Sequence, residues 1–118
     1  MKFVAFLGSD HENWGQVTAI MRRKPWESIL LVKKKGTEEF FVPQNTDTIE
    51  IDSTLPMVEL KSLLLEKLKP KLSGDFEVVL SLASGTGKEH MALLSALLNI
   101  PVGVRLVVFT KNGIEFIS

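Results

Sequence analysis

Phe76-Glu77-Val78-Val79-Leu80-Ser81-Leu82 runs into Ala83-Ser84-Gly85-Thr86-Gly87-Lys88-Glu89, and a second apolar run, Met91 to Leu98, leads out. The first run is short and β-branched, which reads as a buried strand. The second is rich in Ala, Leu and Met, which reads as a helix. A glycine-containing turn between strand and helix can present backbone N–H groups at the positive end of the helix, a geometry that suits an anion. Lys88 adds a point charge there. The plainer alternative is a tight turn that lets the helix pack on its own strand.

The turn is a poor match to the nucleoside-triphosphate loop, which needs Gly, four residues, then Gly-Lys and a hydroxyl. Its first glycine would fall on Leu82 and its magnesium-binding hydroxyl on Glu89. The segment after Lys88 is also short for the rest of such a domain. These mismatches argue against a magnesium-dependent ATPase or GTPase.

Working outward, Lys2 to Leu7 is a nearly continuous apolar run, expected as a strand buried on both faces. Gly8-Ser9-Asp10 breaks it. Asn13 to Arg23 sets Trp14, Val17 and Met21 at helical spacing, with Ser9, Asp10 or Asn13 available as a cap and Pro25 as the stop. Ser28 to Val32 is a second apolar strand. Lys33-Lys34-Lys35-Gly36 follows, either a solvated turn or an electrostatic rim for an anion. Glu38 to Val42 and Thr48 to Ile51 are short strand-like pieces. Ser53 or Thr54 is expected to cap a helix with a Met57, Leu60, Leu64, Leu68 stripe, closed by Pro70. Asn99 and Pro101 stop the helix that follows the glycine turn. Val102 to Phe109 is a further strand, and Asn112-Gly113 signals a hairpin whose return arm is Gly113 to Ile117.

Helices alternating with apolar strands predict an α/β fold: a Rossmann-like three-layer sandwich, mostly parallel, with a C-terminal antiparallel hairpin. The 118 residues are expected to form one domain. Ligands of such sheets sit beyond the carboxyl ends of strands, where strand order reverses. If Lys2–Leu7 and Phe76–Leu82 are central neighbours, the Gly8-Ser9-Asp10 and Ser84-Gly85-Thr86-Gly87-Lys88 bends face one ligand.

Composition narrows the chemistry. Lysine plus arginine equals aspartate plus glutamate, 14 against 14, so whole-chain charge gives no expectation of duplex DNA or an anionic membrane as partner. With Cys 0 and His 2, disulfides and thiolate zinc are excluded and a histidine metal cage is not expected. No metal and no cofactor is assigned. No apolar stretch approaches the ~20 residues that span a bilayer, and the first residues do not read as a signal peptide. A cytoplasmic location is the expectation.

On the strength of the strand ending in Gly8-Ser9-Asp10, the strand ending in Ser84-Gly85-Thr86-Gly87-Lys88 and the terminal hairpin at Asn112-Gly113, the chain resembles the CARF domain, the CRISPR-associated Rossmann-like sensor. The resemblance covers essentially the whole chain. It implies a homodimer that binds cyclic oligoadenylate across its two-fold axis, in antiviral signalling. It also implies that Gly8, Ser9, Asp10, Ser84, Gly85, Thr86, Gly87 and Lys88 line the pocket. Family members usually carry an effector domain, for which this chain has no room, so a stand-alone or truncated sensor is expected. The turn reads Gly-Thr-Gly-Lys where a doubled glycine is commoner.

Two other classes stay open. A metal-independent ring nuclease would cleave the same ligand by positioning a ribose hydroxyl against its phosphate, with Ser9, Lys88 and His90 as catalytic candidates. A structural subunit would hold no ligand at all. Ser9 and Thr86 are equally readable as helix caps, His90 as a first-turn surface residue, and Trp14 as a base-stacking ring or as core.

Overall fold

The continuous apolar runs within Lys2–Leu7 and Ser28–Lys34 bury both faces of the sheet. The computed structural model describes residues 1–37 and 42–118. Its elements are β1 (Lys2–Leu7), a short 3-10 turn (His11–Asn13), α1 (Trp14–Arg23), β2 (Ser28–Lys34), β3 (Thr46–Ile51), α2 (Met57–Leu72), β4 (Glu77–Ser81), α3 (Gly87–Leu98), β5 (Gly103–Thr110) and β6 (Gly113–Phe116). The expected piece from Glu38 to Val42 lies, apart from Val42, outside the described residues.

Among the described residues six strands form one sheet in the order β3-β2-β1-β4-β5-β6. All neighbours are parallel except β5 and β6, which pair antiparallel with Thr110 opposite Gly113. Phe3, Ala5 and Leu7 point to the side of α1, where they meet Val17, Ile20 and Met21. Val4 and Phe6 point the other way, into a larger core with Leu60, Leu64, Leu68 and Leu72 of α2 and Ala92, Leu93, Ala96 and Leu97 of α3. This is the three-layer α/β sandwich, with β1 and β4 central and dry on both faces.

α1 ends at the residue the sequence reading expects, whereas other boundaries differ from it for physical reasons. α1 stops at Arg23 because Lys24, ahead of Pro25, is extended (φ −133°, ψ 147°). Pro70 does not close α2. It sits within the final turn, and the helix runs on to Leu72, which is fully buried. The Ser73 N–H then closes on the Lys69 carbonyl at 2.9 Å. Proline there forfeits one backbone bond, which burial of Leu72 offsets. Neither Ser53 nor Thr54 caps α2; the N-cap is Pro56. The hairpin turns at Lys111-Asn112, and only Gly113 has positive φ, at 98°. A turn followed by a left-handed glycine is the bulged form of hairpin, shifted one residue from the Asn-Gly form expected.

The layer of α2 and α3 stops short of the hairpin. Val104, Leu106 and Val108 of β5 are only half-buried, and Ile117 is 61% exposed. Leu82, Ala83, Leu106, Val107, Val108 and Ile117 border an apolar cleft of about 280 Å³. No helix in the described residues is long and apolar enough to cross a membrane.

Candidate functional site

β1 crosses over toward β2 and β4 crosses over toward β5, so the strand order reverses between them. Both loops after these strands emerge at the carboxyl edge and touch. A Cβ added to Gly8 would lie 2.8 Å from the Gly85 Cα. The Gly8 N–H donates to Ser84 Oγ at 2.9 Å, and Ser84 Oγ donates to Asp10 Oδ1 at 2.7 Å. The Gly85 N–H donates to the same Asp10 oxygen at 3.0 Å, and Asn13 Nδ2 donates to Asp10 Oδ2 at 2.7 Å. Partial burial alone would raise the Asp10 pKa. The hydrogen bonds from Asn13, Ser84, Gly85 and its own N–H outweigh that and hold it below the ordinary 3.8. Asp10 is therefore an anion at neutral pH, and it occupies the donors that a ligand anion at this seam would take.

The eight expected ligand residues thus divide into two sets. Gly8 and Ser84 are buried within the seam, and Asp10 and Gly85 are half-buried in it. Ser9, Thr86, Gly87 and Lys88 face outward and are exposed. The Asp10 carboxylate spends itself on the two loops and does not cap the helical segment after it; no side chain caps that segment or α1.

The start of α3 is a capping box. Thr86 Oγ1 accepts from the Glu89 N–H at 3.2 Å, and the Thr86 N–H donates to Glu89 Oε1 at 2.7 Å. The Thr-x-x-Glu spacing is that of a capping box, and of the two readings open for Thr86 the structure shows the helix cap. Glu89 is buried, and Ser53 Oγ donates to its other carboxylate oxygen at 2.5 Å. Lys88 Nζ donates to the Ser53 carbonyl at 2.9 Å. The loop between β3 and α2 is thereby tied to the first turn of α3. Of the early N–H groups, those of Gly87 and Lys88 remain outside the box, as the first turn of a helix requires. Removing the cap by Thr86→Ala should lower stability by about 1 kcal/mol, read as a lower urea midpoint at unchanged m-value; an unchanged midpoint would show the box to be idle.

His90 Nε2 lies 2.6 Å from the Ser84 carbonyl, so that nitrogen carries the proton and donates. Among the described residues no hydrogen bond joins Ser9, Lys88 and His90, the three catalytic candidates. Trp14 is held by the loop: its Nε1 donates to the Gly8 carbonyl at 2.9 Å, and its ring packs partly against the α1 core. Its indole also backs His11, with ring centroids 4.2 Å apart. Trp26 is buried against Phe3, 5.0 Å between ring centroids.

The lysine run divides as well. Lys33 Nζ is 3.8 Å from Glu50 Oε1 across the β2–β3 pair. Lys34 and Lys35, with Gly36 and Thr37, line a cleft of about 270 Å³ opposite Ser9 and His11. Asp52 follows β3, its pKa lowered chiefly by hydrogen bonds from Thr54 and further by the charges of Lys35 and Lys88. No group of three or more His, Asp or Glu among the described residues is placed to hold a metal ion. Compared with protein-family models, curated proteins and solved structures, the chain matches none.

Proposed function

We propose that the chain is a nucleotide-binding sensor domain of the CARF type, binding cyclic oligoadenylate at the carboxyl edge of its sheet as a homodimer. The observation that carries this reading is the meeting of the β1 and β4 loops at the switch point, the place where open α/β sheets bind ligands. Ser9, Thr86, Gly87 and Lys88 are the outward groups of those loops, and the Gly87 and Lys88 amides supply the positive end of α3. The open apolar side of β5 and β6 supports a second copy of the chain, since a sheet face of this kind is normally covered. A two-fold ligand is matched by a two-fold protein surface.

The no-ligand reading has one observation of its own. The Asp10 carboxylate already fills the Ser84 and Gly85 donors, so the seam is stable without a guest.

Incubation with cyclic tetra- and hexa-adenylate separates these readings. A bound ligand at a hundred times its dissociation constant should add ~2.7 kcal/mol of stability, visible as a higher Tm. Stabilisation with the ligand intact supports the sensor, and linear products would assign a ring nuclease. No shift with either ring leaves the structural subunit. Solution mass by light scattering tests the dimer; a monomer at all concentrations would remove the two-fold site.

A further inference from the structure

A polar corner lies beside the switch point and shares only Ser9 with the residues assigned to the ring ligand. Its walls are Ser9 and His11 after β1, and Lys34, Lys35, Gly36 and Thr37 at the end of β2. The corner is shaped by a tight turn. The Thr37 N–H donates to the Lys34 carbonyl at 3.1 Å, the Thr37 hydroxyl donates to the same carbonyl, and Gly36 has φ +85°. Glycine at that third turn position is what a type II turn needs. The Lys35 N–H is tied to the Ile51 carbonyl at 2.7 Å, which fixes the turn to β3.

Among the described residues the charge is one-sided: no carboxylate of residues 1–37 or 42–118 lines the cleft. Among the described residues, no ion pair engages Lys34 or Lys35, whereas their neighbour Lys33 is taken by Glu50. Asp52 acts on Lys35 from outside the cleft and is itself held by Thr54. The opposite wall is firm, because His11 rests on Trp14 and Trp14 is bonded to the Gly8 carbonyl. The Ser9 hydroxyl and the Gly36 N–H have no partner among the described residues. Two lysines, a histidine, a serine and a glycine around one small space offer a set of donors, and among the described residues no carboxylate shares the lining.

We infer that this corner binds a phosphate dianion, free or as the terminal group of a phosphomonoester. Its volume of about 270 Å³ falls just below the ~300 Å³ at which small-molecule sites begin, which fits a phosphate with a single sugar rather than a whole oligonucleotide ring. The inference stands apart from the proposal for the glycine turn. Cyclic oligoadenylates carry only diesters, and of their expected contacts at Ser9, Thr86, Gly87 and Lys88 only Ser9 also lines this corner.

The test is an amide NMR titration of the full chain with inorganic phosphate, adenosine monophosphate and adenosine in turn. Phosphate and the monophosphate should move the Ser9, Gly36 and Thr37 amides along a saturating curve, and adenosine should not. Lys34→Ala combined with Lys35→Ala should weaken that binding roughly tenfold or more, with Tm unchanged. Lys88→Ala should leave it intact. Saturation by phosphate but not by the monophosphate assigns the corner to the free anion. No saturable shift, equal shifts with adenosine, shifts confined to Gly87 and Lys88, or full affinity in the double variant would each overturn the inference. A chain that ignores cyclic oligoadenylate can still pass this test, and one that binds it can fail.

Discussion

Gly85→Ala should be the most damaging small substitution in the chain, lowering stability by about 3–5 kcal/mol. Two costs combine. Gly85 has φ +108°, a conformation an L-residue adopts only under strain. The new Cβ would also lie 2.7 Å from Phe6 Cδ1 and 3.0 Å from His90 Nε2. Phe6 is fully buried between the sheet and the α2–α3 layer, so its ring has little room to move. His90 would have to give up its bond to the Ser84 carbonyl. For a domain of this size the loss is a fall in Tm of roughly 10–20 °C, measurable by circular dichroism. The same substitution at Gly87, where an added Cβ meets nothing within 4 Å and φ is not positive, should leave Tm nearly unchanged. Equal effects at the two glycines would show that the contact of the β1 and β4 loops is not as described.

Asp10→Ala should cost about 2–4 kcal/mol, because it strips the buried Ser84 hydroxyl and the Gly85 N–H of their shared acceptor. The effect carries a pH signature. The folded-state pKa of Asp10 lies below 3.8, its ordinary value, so the unfolded chain takes up the proton first as acid is added. The stabilisation is therefore complete above the unfolded pKa and is lost as pH falls through the folded one. Asp10→Asn keeps an oxygen for Ser84 and Gly85 but has no charge to titrate. The gap in urea midpoint between the parent chain and Asp10→Asn should be widest near neutral pH and should narrow at pH values below 3.8. A gap of constant size would mean that the carboxylate charge contributes nothing to the seam.

The seam also marks where a one-dimensional reading runs out. β1, β4 and the glycine turn could be read because each is local: a short apolar run, then residues that break it. That β1 and β4 are central neighbours stands only as a condition in the sequence, and the strand order meets it. By contrast Asp10 and Ser84 are 74 residues apart, and no local pattern says that a carboxylate will be spent on a hydroxyl so distant. Asp10 reads equally well as a helix cap or a ligand group until the sheet brings the two loops together. Lys34 and Lys35 pose the same problem. A lysine run beside a glycine is usually a solvated turn, and only the parallel pairing of β1 with β2, Leu7 opposite Lys33, sets it against Ser9 and His11. Pro70 shows the reverse case: a sound local stop signal loses to the burial of one leucine two residues later.

The most direct test of the central claim, that the carboxyl edge at the β1–β4 junction is a ligand site, is a crystal structure grown with cyclic tetra-adenylate. The account predicts density for the ring over the edge, in contact with Ser9, Thr86, Gly87 and Lys88 and shared between two copies of the chain. Density elsewhere on the protein, or an edge with no ring at a concentration that saturates binding in solution, would contradict it.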